Sequence, residues 1–228
     1  MHVLRLLVCI ALVVPVTSFI DRALVALLTE RPLFEPTSRP RFEPRTVVLA
    51  VLTFVSYVLA AIRFADSPWL ELFAYLALFA VLVLLSTIDA IEYRLPDVIV
   101  LPSIAAGAVI VVTVSVIDGI TDRIGPALIG AVVAFGVLLV AHLVSPRGMG
   151  FGDVKLAALL GLAVGWQATS VVGSLVLVLW LLLFGFGIGS VAGVVLWIVR
   201  RGNRPFPFGP FLALGTVLTV LLSRSLLP

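Results

Sequence analysis

Charge is what this 228-residue sequence has least of. Asp, Glu, Lys and Arg together make up 12% of it, about half the roughly 25% of a soluble globular domain. That shortage excludes an ordinary water-exposed fold. Cysteine is nearly absent: Cys9 stands alone, so no intramolecular disulfide and no CxxC zinc pair can form. Cys9 reads as a small apolar helix residue. The two histidines, His2 and His142, lie far apart and offer no metal-ligand spacing, so no metal and no cofactor are expected. His142 reads as a packed or interfacial residue. The formal net charge of +3 is ordinary for a chain with basic cytoplasmic loops and gives no reason to expect a nucleic-acid partner.

What the sequence has instead is apolar length. Hydrophobic residues make up 62%, and several runs reach the roughly 20 residues that a helix needs to cross a bilayer. The expected fold is all-α: a polytopic membrane protein with about eight transmembrane helices. Residues 4–20 form the first span, its weakly basic start resembling a signal peptide without a small-x-small cleavage site. Residues 21–45 are the longest hydrophilic stretch. Four prolines between Pro32 and Pro44 predict a loop or a small amphipathic cap there. Further spans are expected over 46–64, 69–88, 98–117, 126–144, 170–199 and 209–222, with Trp69 as an interfacial anchor. The apolar run 154–165 is too short to cross comfortably, and Trp166-Gln167 marks its far interface. The run 170–199 is about 45 Å long as a helix, against a hydrocarbon core of about 30 Å. Its Gly185, Gly187, Gly189 and Gly193 read as packing positions.

Loops alternate between two faces. One face, holding the loops around 21–45, 89–97, 145–155 and 200–208, carries eleven of the Lys and Arg residues, and the other carries four. That bias makes the first face cytoplasmic and places both termini outside.

Two carboxylates fall on that cytoplasmic face. Asp89 ends the third run. Asp153 follows Gly148-Met149-Gly150-Phe151-Gly152 where the chain re-enters the membrane. The glycines permit unusual backbone angles and close approach of neighbouring segments. An aspartate at the mouth of an apolar helix is expensive to desolvate without a partner or a job. Two carboxyl groups at one depth can share a proton, because like charges resist ionising together. The pair then supplies a base to activate water and an acid for a leaving amine, the requirements of metal-free peptide hydrolysis. Among the neighbouring acids, Asp97 reads as the N-terminal cap of the fourth span. Glu92 and Arg94 read as solvated loop residues, and Lys155 as a residue able to pair with an acid.

The residues also resemble a known family. Asp89-x6-Pro96-Asp97 is similar to the first-aspartate motif of the bacterial type IV prepilin peptidases. Gly150-Phe151-Gly152-Asp153-Val154-Lys155 matches their GxGD motif, and Phe206-Pro207-Phe208-Gly209-Pro210-Phe211-Leu212-Ala213 resembles their C-terminal stretch. The resemblance runs from about residue 74 to the C-terminus. It implies a GxGD aspartyl protease fold, with residues 74–228 as catalytic core and 1–73 as N-terminal spans bearing the reduced loop 21–45. It implies Asp89 and Asp153 as catalytic residues, with Gly150, Gly152, Pro96, Asp97 and Lys155 in support. The implied reaction is cleavage of the leader peptide of prepilins or pseudopilins at the cytoplasmic face of the plasma membrane. Larger members carry two CxxC pairs after the first span and also N-methylate the product. Residues 21–45 hold no cysteine, so the resemblance does not carry N-methylation over to this chain and supports no methyl-donor cofactor.

Two other classes compete. The acids could form the proton or cation site of a small transporter, although such sites sit near the midplane rather than at one face. The chain could also be a silent assembly partner, which would have no reason to keep both aspartates. The substrate's identity and the oligomeric state are not legible in the sequence.

Overall fold

Apolar runs with few polar interruptions become long helices, because in lipid every backbone polar group must find its partner within the segment. The computed structural model describes residues 2–29, 44–146, 148–200 and 206–227, and among these every regular element is helical. Eight α-helices follow one another: α1 His2–Thr29, α2 Pro44–Arg63, α3 Trp69–Glu92, α4 Asp97–Ile117, α5 Ile124–Val144, α6 Phe151–Gly165, α7 Val171–Arg200 and α8 Gly209–Leu226. A single 3-10 turn, Thr121–Arg123, precedes α5. Seven of the eight are long and apolar enough to span a bilayer, and α6 is the exception. Its 15 residues reach about 22 Å. Large apolar side chains such as Val14, Val98, Val132, Val144 and Val172 stand exposed along the long helices, a surface fit for lipid rather than water.

Two expected boundaries move. Helix α1 runs nine residues beyond the expected span, through Asp21 and Arg22 to Thr29. Residues 23–28 are all Ala, Val or Leu, and one acid beside one base does not end a helix whose first downstream proline is Pro32. The rest of the expected loop, 30–43, lies outside the described residues. Helix α3 likewise continues past Ile88, so Asp89 belongs to its last turn.

The chain divides into two compact units, Met1–Leu84 and Leu85–Pro228, with the division inside α3. In the first unit α1 packs along α2. The Arg5 side chain is buried and donates to the carbonyl oxygen of Phe64, with its guanidinium 4.8 Å from the centre of the half-buried Trp69 ring. Tyr75 stacks on Phe64 with ring centres 4.5 Å apart. Cys9 is fully buried and in no disulfide.

In the second unit α6 is the central element, packed against α4, α5, α7 and α8. Eleven of its residues are buried, which is why a helix too short to cross alone is stable here. Small residues make this possible. A Cβ at Gly161 would collide with the Gly130 carbonyl oxygen, and one at Gly165 would lie 2.6 Å from the Pro126 oxygen. The backbones of α5 and α6 therefore touch. Trp166 is 2% exposed and donates from Nε1 to Ser115 Oγ at 2.8 Å. It is a core residue tying α6 to α4 and not the interfacial marker expected, because its indole N–H finds a protein partner.

Candidate active site

The site gathers at the end of the second unit where α3 stops and α6 and α8 begin. Asp89 is 4% exposed in the last turn of α3. Its carbonyl accepts the Tyr93 N–H at 2.9 Å, and Tyr93, at φ 55°, turns the chain away from the helix axis. A left-handed backbone at a residue with a bulky side chain costs on the order of 1 kcal/mol or more. The sharp turn brings Leu95 back under α6. Leu95 is buried, and a Cβ at Gly152 would lie 2.9 Å from the Leu95 Cβ. Gly152 is thus the point where the chain following Asp89 and the chain carrying Asp153 meet without a side chain between them.

Asp153 stands in the first turn of α6 and is 8% exposed. Its charge and that of Asp89 are close enough to act on one another. Burial first, and the Asp89 carboxylate second, push the Asp153 carboxyl up to about 7, against a Gly150 backbone hydrogen bond that pulls it down. A carboxyl with that setting holds or releases a proton near neutrality, the range a general acid needs.

The third wall is the start of α8. The backbone N–H of Gly209 donates to Asp89 Oδ2 at 2.8 Å, within a buried setting. A Cβ at Gly209 would lie 2.9 Å from that same oxygen. Phe208 precedes it as the N-cap residue, and Pro210 occupies the first turn, where a missing N–H costs nothing.

The supporting residues are arranged as follows. Asp97 is not a side-chain cap: the N-cap of α4 is Pro96, without a capping hydrogen bond. Instead both Asp97 carboxylate oxygens accept from Lys155 Nζ, each at 2.7 Å. A charged partner one turn into α6 outcompetes the helix's own N–H groups. This ion pair ties the first residue of α4 to α6 just beyond Asp153. Lys155 also lies 5.0 Å from the Phe151 ring centre. Glu92 and Arg94 are exposed, as expected of solvated residues. Gly150 has φ −68° and ψ 145°, and among the described residues the one glycine at positive φ is Gly119. The glycine stretch therefore serves close approach, and the unusual backbone angles expected of it are not used. His142, at the end of α5, meets the Met149 carbonyl through Nδ1 at 2.8 Å, and its ring is 5.5 Å from that of Phe151. It fastens the loop before Asp153, a role with no signal in the residue pattern. Among the described residues no cluster of metal-binding side chains is present.

Residues 76–198, more than half of the chain, match the type IV leader peptidase family. The chain belongs to the type IV leader peptidase family. Its match to the family takes in both Asp89 and Asp153, and ends short of Gly209. Similar curated proteins carry the name prepilin leader peptidase/N-methyltransferase. That of Aeromonas hydrophila is 31% identical over 93% of this chain and 70% of its own length. That of Escherichia coli strain K12 is 34% identical over 72% of this chain and 70% of its own. That of Pseudomonas putida is 39% identical over 61% of this chain and 46% of its own. No solved structure matches the chain. Membership of a peptidase family and seven apolar helices make this a multi-pass membrane peptidase, and these relatives lend the transporter reading no support.

Proposed function

We propose that the chain is an aspartyl endopeptidase that removes the leader peptide from type IV prepilins or pseudopilins at the cytoplasmic face of the plasma membrane. One observation carries the catalytic type. In a chain of a peptidase family, two buried aspartates act on each other's charge where α3, α6 and α8 meet. Such a pair retains one proton between them and so offers base and acid at once. The base takes a proton from water, the water oxygen adds to the scissile carbonyl carbon, and the acid protonates the departing nitrogen. No side-chain nucleophile is required.

The other site residues support this geometry. Gly152 lets the two aspartate-bearing segments approach, and Pro96, Asp97 and Lys155 fix α4 against α6 so that Asp153 keeps its position. Gly150 adds a backbone hydrogen bond. The catalytic core is assigned to residues 74–228. The Lys and Arg bias of the loops supports a cytoplasmic side for the dyad, where a substrate's leader would meet it while the following apolar helix lies in the bilayer. The names of the relatives support prepilins as the substrate class. Methylation forms no part of the proposal.

The test uses the purified protein in lipid vesicles with a prepilin of known leader. Mass spectrometry should find a single cut at the leader junction. Intact prepilin after prolonged incubation, in a preparation shown to be folded, would remove the proposal.

A further inference from the structure

The two aspartates are not equivalent, and the inequality comes from α8. Asp89 Oδ2 accepts the Gly209 N–H at 2.8 Å, in the first turn of a helix whose open N–H groups and dipole favour negative charge. Asp153 lies in the first turn of its own helix, α6, where a Gly150 backbone hydrogen bond reaches its carboxyl. The α8 start is itself fastened. The Phe208 ring lies 4.9 Å from that of Phe186, and a Cβ at Gly189 would be 3.0 Å from the Phe208 ring. Phe206 stacks on Phe211 with ring centres 5.0 Å apart. The small residues Gly185 and Gly189 of α7 therefore admit the start of α8, and that packing holds the Gly209 N–H on Asp89.

We infer that the start of α8 divides the labour of the pair, holding Asp89 as the carboxylate that activates water and leaving Asp153 to carry the proton for the leaving amine. Gly209 is then a positioning residue, acting through Asp89. The inference rests on the peptidase reading above. The steps balance: Asp89 takes one proton from water as the O–C bond forms, and Asp153 gives its proton to nitrogen as the C–N bond breaks. The proton on Asp89 then passes to Asp153, and one water has been consumed. Burial first and the Asp89 charge second hold the Asp153 carboxyl up at about 7, the setting of a group that carries a proton near neutrality. Among the described residues, the other titratable groups at this end of the surrounding elements are Lys155 and Asp97, which pair with one another, and Glu92, Tyr93 and Arg94 beyond Asp89, all exposed. His142 on α5 is engaged by Met149. Residues 171–199 of α7 and the first two turns of α8 carry none.

The experiment compares two substrates on the isosteric variants Asp89→Asn and Asp153→Asn, in the purified full chain. One substrate is the intact prepilin. The other is its leader segment as a nitrophenyl ester at the scissile carbonyl, whose leaving group departs without a proton. Both variants should lose prepilin cleavage, on the order of 10²–10⁴-fold for removal of a positioned acid or base. Asp153→Asn should keep most of its ester hydrolysis, while Asp89→Asn should lose it. A third variant, Gly209→Ala, places a methyl against Asp89 Oδ2 and should move the acid limb of the kcat profile to higher pH with KM unchanged. Equal loss of ester hydrolysis in both aspartate variants, the reverse order, or an unmoved acid limb would overturn the inference while leaving the peptidase intact. Failure of wild type to cut the prepilin would instead strike the reading beneath it.

Discussion

Asp153 occupies a position that its own chemistry disfavours. Its carboxyl binds a proton more readily in the folded protein than in the unfolded chain, so the folded state holds more protons between the ordinary carboxylate range and about 7. Stability therefore falls as pH rises through that window. Asp153→Asn removes the cost of the buried charge. Its thermal midpoint in detergent should exceed that of wild type at pH 8, and the difference should shrink toward pH 4. A constant difference would mean that the carboxyl is not buried as described. The second residue-scale expectation concerns Lys155→Met. An exposed ion pair contributes only about 0.2–1 kcal/mol, so the melting point should change little. The activity should fall, because the tie between α4 and α6 sits two residues from Asp153. Wild-type turnover in this variant would confine the ion pair to the surface. At this scale the sequence was partly legible. Two aspartates at run ends on one face could be paired, since apolar length fixes depth and loop charge fixes side. Lys155 was readable as a partner for an acid, but not for Asp97 in particular, which lies 58 residues away and had a helix cap as its local alternative. The stretch holding Gly209 stood out as a motif, but its N–H as a partner of Asp89 did not, because every residue except proline carries one.

Among the helices, α6 decides the most. It reaches about 22 Å and survives because α4, α5, α7 and α8 enclose it. Its closest approach is to α5 at Gly161 and Gly130, where no side chain fits between the backbones. Gly161→Leu should drive those helices apart, and overpacking of this kind costs about 1–3 kcal/mol or more. Loss of folded protein in detergent, read by gel filtration, is the expected result. A monodisperse, fully active variant would contradict the contact. Hydropathy placed every one of the eight helices near its observed position, because run length is a strong signal in a membrane chain. It misplaced ends. Residues 21–29 of α1 stayed helical because two opposite charges in an apolar stretch cost less than breaking the backbone ladder, and α3 ran on through Asp89 to Glu92. That extension matters, since it gives the aspartate a fixed direction instead of a place on a loop. The short run 154–165 was readable as an oddity. Its burial was not, because the residues that enclose it are spread over four other elements.

For the molecule as a whole, the division at Leu84 and Leu85 separates a unit with a buried arginine from the unit that holds both aspartates. The exposed apolar side chains of the long helices suit lipid surroundings, and the arginine and lysine bias supports the proposed direction. Single cysteines in a Cys9→Ala background test that direction. A cysteine at Tyr93 should react with an impermeant maleimide only when the cytoplasmic face is open, and one at Asp122 only from outside. The opposite pattern would invert the topology and move the dyad away from the leader it is proposed to cut. The most direct measurement follows from the same placement. A prepilin is expressed in cells with wild type, Asp89→Ala or Asp153→Ala, each confirmed in the membrane by immunoblot, and precursor length is read by electrophoresis. Wild type should yield a shortened pilin, and either variant should leave full-length precursor. Shortening in the presence of either variant, in cells with no other prepilin peptidase, would contradict a catalytic role for that aspartate.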